Sequence, residues 1–122
     1  MDTTILSEDG SKLKSKGKIA ARGVLLIISK NFFGQTFIID QQEITIGRNK
    51  VADFVINDDL ISREHCLVGI DEEHHFYIED LDSTNSSLLN SKKLKKRKAL
   101  YYGDKICLGE TILRFFREET AQ

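Results

Sequence analysis

The chain has 122 residues, 40% of them hydrophobic and 30% charged, which suits one compact domain and excludes wholesale disorder. Its formal net charge of −1 gives no global attraction to nucleic acid or anionic membrane, so any electrostatic recognition has to be local. No basic segment leads into a sustained apolar core at the start, and the longest apolar run, residues 24–28, is far too short to span a bilayer.

Residues 1–22 read as a flexible leader, rich in Ser, Lys, Thr and Asp and without apolar periodicity after Ile5 and Leu6. From residue 23 the character changes. Short runs rich in Val, Ile, Leu and Phe predict strands at 23–29, 35–40, 44–47, 54–56, 64–70, 75–80, 87–89, 99–102, 105–108 and 111–116. Gly, Asn and Asp separate them, as at Asn57-Asp58-Asp59, Tyr102-Gly103-Asp104 and Leu108-Gly109-Glu110. Ile44 and Ile46 share one strand face, as do Cys66, Val68 and Ile70. No segment carries a helical period, so the expected fold is an all-β antiparallel sandwich of about 11 strands spanning residues 23–118, with a polar tail at 119–122. Cys66 and Cys107 lie inside strand-like runs. Buried free thiols in a reducing, cytoplasmic setting are the favoured reading, with a disulfide as the alternative.

Four features fall in order along this framework. Gly47-Arg48 ends a strand, Ser62-Arg63-Glu64-His65 opens the next long one, Asp82-Ser83-Thr84-Asn85 follows the strand at 75–80, and Gly103-Asp104-Lys105-Ile106 introduces the last two strands. Together they resemble the signature of the forkhead-associated (FHA) domain family: Gly-Arg, then Ser-x-x-His, then an Asn in a Ser-Thr-Asn-Gly stretch, then Gly-Asp-x-Ile. The resemblance covers residues 23–118. It implies a non-catalytic module, without cofactor or metal, that binds phosphothreonine peptides in Ser/Thr kinase signalling through loops at one end of a β-sandwich.

By position, the resemblance implies that Arg48, Ser62, Arg63 and Thr84 bind the phosphothreonine. Asn85 would bond the peptide main chain, and His65, Gly47 and Gly103 would be structural supports, the glycines as turn residues. The residue chemistry agrees independently. A phosphothreonine is nearly dianionic with strong acceptor oxygens. A planar, permanently charged guanidinium can bind two of them at once, while a hydroxyl completes the shell without excess charge. One position departs from the pattern: Asn85 is followed by Ser86 where the family has Gly. A non-glycine there predicts either about 1 kcal/mol of left-handed strain or a remodelled loop.

Other readings are weaker. Ser62 with His65 suggests a hydrolase, but no nucleophile elbow, oxyanion hole or acid accompanies the pair. His74 and His75 are adjacent on a strand, point to opposite faces and cannot readily share a metal ion. The basic run at 92–98 reads as solvated strand edges and a hairpin turn. Nucleic acid ranks below that, for want of an aromatic platform. The main alternative function is phosphate-independent protein interaction or oligomerisation through a sheet face or this run. Finally, Thr3 and Thr4 in the leader resemble a threonine pair found in some bacterial members. Phosphorylated there, the chain would carry a ligand for its own site.

Overall fold

Alternation of apolar and polar side chains builds two sheets in the computed structural model, which describes residues 21–118. The strands are β1 (Gly23–Ile27), β2 (Thr36–Ile39), β3 (Glu43–Gly47), β4 (Phe54–Val55), β5 (Cys66–Ile70) and β6 (Phe76–Asp80), followed by β7 (Ser87–Leu89), β8 (Lys92–Lys93), β9 (Lys98–Ala99), β10 (Lys105–Leu108) and β11 (Thr111–Arg117). A six-stranded sheet runs β2-β1-β11-β10-β7-β8 and a five-stranded sheet runs β4-β3-β5-β6-β9. All pairings are antiparallel except β3 with β4, which run parallel.

The core lies between the sheets. Leu25, Ile27, Ile106, Leu108, Leu113 and Phe115 come from one, and Ile44, Ile46, Cys66, Val68, Phe76 and Ile78 from the other. Phe76 and Phe115 meet across the layers, ring centroids 5.1 Å apart and tilted 59°. The expected face of Cys66, Val68 and Ile70 is fully inward. Each such residue withdraws enough apolar surface to stabilise the fold by about 1.5–3 kcal/mol, before conformational entropy is set against it.

Two predicted strands shift. The strand expected at 99–102 is the short β9: the buried Leu100 still donates its N–H to the Phe76 carbonyl of β6, but Tyr101 and Asp104 then close a turn on each other and end the pairing. The strand expected from residue 64 starts at Cys66; Glu64 is exposed. The basic run does form strand edges, and its first two lysines are one arm of a β7–β8 hairpin whose turn, Asn90-Ser91, lies just ahead of the run. β8 closes one sheet and β9 the other, and the chain crosses between them over the buried Leu94. Cys66 and Cys107 are both free, and burial pushes the Cys66 thiol far up. No helix among the described residues is long and apolar enough to cross a membrane.

This topology gathers the informative loops at one end. β3, β6 and β10 finish there, and β5, β7 and β11 begin there.

Candidate functional site

The site begins at the end of β3. Gly47, expected in a turn, is the last residue of that strand. The need for glycine is close approach: a Cβ there would sit 2.0 Å from the Arg63 carbonyl oxygen. That contact lets the 48–53 loop run flush against the 60–65 loop. Gly103, by contrast, is a turn residue with φ of 87°.

Four successive main-chain carbonyls of the 60–65 loop hold the neighbouring segments in place. Leu60 O accepts from Asn85 Nδ2 at 2.9 Å and Ile61 O from Arg48 Nε at 2.9 Å. Ser62 O accepts from Arg48 N at 3.0 Å and Arg63 O from Asn49 N at 3.1 Å. Arg48 is thus held by one side-chain nitrogen, and at this exposed residue its two terminal amino groups make no hydrogen bond among the described residues. Among the described residues it makes no ion pair. Two carboxylates that follow it in sequence are occupied elsewhere: Asp53 takes the Thr45 N–H, and Asp58 takes Leu60 N, Glu110 N and the Thr111 hydroxyl.

Ser62 Oγ accepts the Thr84 N–H at 2.9 Å, which leaves its own proton to donate. Thr84, Asn85 and Arg63 are exposed beside it. Arg48, Ser62, Thr84 and Asn85 are therefore brought together by the hydrogen bonds above. Arg63 projects from the same loop without an ion pair among the described residues.

His65 underlies this surface and is fully buried. Its Nδ1 accepts the Ser62 N–H at 3.0 Å and its Nε2 meets the Ser86 carbonyl at 2.9 Å. The first contact requires a bare Nδ1, so Nε2 carries the proton and donates it to Ser86 O. With both nitrogens engaged on the main chain, His65 has none left to take the proton of the Ser62 hydroxyl, which removes the hydrolase pairing. The adjacent His74 and His75 are both exposed, and no metal-binding cluster is present among the described residues.

Ser86 adopts φ of 65°, so the loop keeps the left-handed turn instead of being remodelled. Holding a serine there costs about 1 kcal/mol, offset by the His65 bond to its carbonyl. Ser86→Gly is expected to match or slightly exceed wild-type stability, since relief of strain is partly cancelled by the freer unfolded chain. Ser86→Val, β-branched at positive φ, should lose about 2 kcal/mol. Urea denaturation of both variants tests this, and a valine variant as stable as wild type would mean the turn is not constrained.

Sequence reasoning missed the two carboxylates that brace the loops. Asp58 was legible only as a turn residue, yet it ties the 56–65 loop to the β10–β11 turn. Asp80 accepts from Ser83 N, Ser83 Oγ and Ser87 Oγ, fixing the start of the 81–86 loop. The Asp-x-Leu and Asp-x-x-Ser spacings are local side-chain-to-backbone signals that point to such bracing. Burial alone would raise both carboxyls. For Asp58 the Leu60 N–H, Thr111 hydroxyl and Glu110 N–H outweigh it, and for Asp80 the Ser83 and Ser87 hydroxyls and the Ser83 N–H do, so both stay below the ordinary carboxylate range. A depressed folded-state value contributes stability that is complete above the unfolded carboxyl pKa, about 4, and is lost as pH falls through the folded value. Stability should therefore drop below about pH 4, and Asp58→Asn, with one acceptor oxygen for three donors, should flatten that drop while lowering stability at pH 7 by about 2 kcal/mol. Denaturation midpoints from pH 7 to pH 3 check both effects.

The sequence matches the FHA domain family over residues 44–109. A segment of the "Probable serine/threonine-protein kinase fhkA" of Dictyostelium discoideum is 35% identical over 81 residues, which is 58% of this chain and 14% of that kinase. Among solved structures, the FHA domain of the CT664 protein from Chlamydia trachomatis is 29% identical with a TM-score of 0.72, covering 78% of this chain and 96% of that one. A structure from work on "phosphothreonine-dependent FHA domain interactions" is 26% identical with a TM-score of 0.72, covering 80% and 98%.

Proposed function

Because this chain belongs to the FHA domain family, we propose that it reads phosphothreonine peptides in Ser/Thr kinase signalling, with Arg48 as the primary phosphate ligand. One observation carries the reading. Arg48, exposed, is fixed through Nε to the Ile61 carbonyl, which leaves its terminal amino groups unbonded among the described residues, and the next residue of that loop, Ser62, accepts the Thr84 N–H and keeps its hydroxyl proton to donate. Such a preset fork and hydroxyl suit a tetrahedral dianion: two charge-assisted bonds from Arg48 and one from Ser62, with Arg63 adding a second cation. Thr84, whose N–H meets Ser62 Oγ, stands beside that hydroxyl. Asn85, held by one amide hydrogen on Leu60 O, would offer Oδ1 to a peptide main-chain N–H.

The proposed role is binding, without a reaction step. Soluble, cytoplasmic action fits the free thiols of Cys66 and Cys107. The experiment is a calorimetric titration of matched phosphothreonine, phosphoserine and unmodified peptides. Only the phosphothreonine form is expected to bind, and a Thr→Asp peptide should mimic it poorly, being a planar monoanion. Equal binding of the unmodified peptide would replace this reading with phosphate-independent interaction.

Thr3 and Thr4 lie outside the described residues. The proposal for them is an intramolecular ligand: phosphorylated by a kinase, either would compete for Arg48 at high effective concentration. Kinase-treated chain, its modification located by mass spectrometry, is expected to bind added phosphothreonine peptide at least about tenfold more weakly. Undiminished binding by the modified chain would refute the switch.

A further inference from the structure

The end of the sandwich opposite Arg48 carries a groove of about 630 Å³. Its floor is apolar: Phe76 and Leu100, nearly closed off from solvent, and the half-buried Tyr77. Its rim carries three cations, Arg97, Lys98 and Arg117, against one carboxylate, Asp71, which is already engaged by the N–H groups of Glu73 and His75. Arg97 pairs with Glu79, while Lys98 and Arg117 make no ion pair among the described residues. The basic run 92–98 extends this positive surface along both sheet edges.

The aromatic platform that the sequence did not reveal is present here, with Tyr101 and Tyr102 each 69% exposed at the groove. The two floor rings are nevertheless capped by cations. The Arg97 guanidinium lies 3.9 Å over Tyr77, that of Arg117 lies 5.1 Å over Phe76, and Tyr102 packs edge-on against Phe116. Over Phe76 and Tyr77 the stacked cations present charge in place of ring faces, which suits carboxylates there better than stacked nucleobases. The recess is sized for one large side chain with its flanking main chain, and β9, an open edge beside it, is available to an extended segment.

From this charge complementarity we infer that the groove is a second docking site, for an extended acidic segment of a partner protein that inserts one aromatic or large aliphatic side chain between Arg97 and Arg117. It does not depend on the phosphothreonine reading. An exposed cationic rim around an apolar recess gives affinity that falls with salt and specificity through the anchor.

The test is titration of the full chain with an unphosphorylated peptide of glutamates around one central phenylalanine, followed by NMR. Binding is expected, weakening as salt rises, with shifts confined to the amides of Tyr77, Ala99 and Tyr101. The Lys98→Glu and Arg117→Glu variants, checked for unchanged melting, should each bind at least about fivefold more weakly, and the double variant more weakly still. Arg48→Ala should leave this binding untouched, which separates failure here from failure at the phosphate site. No binding, equal binding of an all-glutamate peptide, or shifts at the Arg48 end would overturn the assignment. Oligothymidylate binding as tightly at the same amides would make the surface a nucleic-acid site instead. Peptide-free shifts that grow with protein concentration would assign it to a second copy. Peptide-free shifts produced by Glu8→Lys and Asp9→Lys would assign it to the chain's own leader.

Discussion

Replacing Arg48 with alanine is expected to weaken phosphothreonine-peptide binding at least about 100-fold. Hydrogen bonds to a charged group contribute about 1.5–3 kcal/mol each, so losing a two-pronged contact removes about 3 kcal/mol or more, and each 1.4 kcal/mol is tenfold. Stability should hardly follow. The only intramolecular bond lost from the side chain among the described residues is Nε to Ile61 O, at an exposed residue where water can replace it, worth about 1 kcal/mol or less. Arg48→Lys is the informative intermediate. An ammonium keeps the charge but cannot hold Ile61 O and grip two phosphate oxygens in one plane, so about tenfold of the loss should persist. Calorimetry paired with thermal melts checks both variants. A full-affinity Arg48→Ala would remove Arg48 from the receptor.

His65→Ala should have the largest effect on stability. The imidazole is fully buried and joins two loops, bonding Ser62 N on one side and Ser86 O on the other. Truncation leaves a cavity and strands both main-chain groups, one of them on a residue at positive φ. Cavity and unmet polar groups together cost about 3–5 kcal/mol, and at about 4–8 °C per kcal/mol for a domain of this size the melting temperature should fall by more than about 12 °C. Binding should weaken as well, even well below that temperature, because Ser62 and the 82–86 loop lose their common support. Circular dichroism melts followed by titration at low temperature separate the two effects. A fall of only a few degrees would show that the loops do not depend on the bridge.

Much of this was legible in the residues. Periodicity of two, with Gly, Asn and Asp between the runs, is a local property, and it located the long strands and the inward face of β5. Where tertiary packing decides, it did not. The lysine run spans two sheets because Leu94 is drawn into the core between them. At the site, residue types and order pointed to Arg48, Ser62 and His65, since arginine, hydroxyl and buried imidazole each have narrow physical uses. Their assembly was not legible. Asp58 meets Glu110 and Thr111 from more than fifty positions away, and no spacing rule reaches that far. Gly47 was singled out for the wrong reason: its demand comes from the Arg63 carbonyl, a neighbour only in space.

The four carbonyls of residues 60–63 that anchor Asn85, Arg48 and Asn49 have an evolutionary consequence. Main-chain oxygen is common to all amino acids, so this grip on the receptor is indifferent to which side chains the stretch displays. Leu60, exposed, can drift toward new flanking preferences without dismantling the hold on Arg48. A scaffold written in backbone would let related readers diversify what surrounds the phosphate while inheriting, unaltered, the means of seizing it.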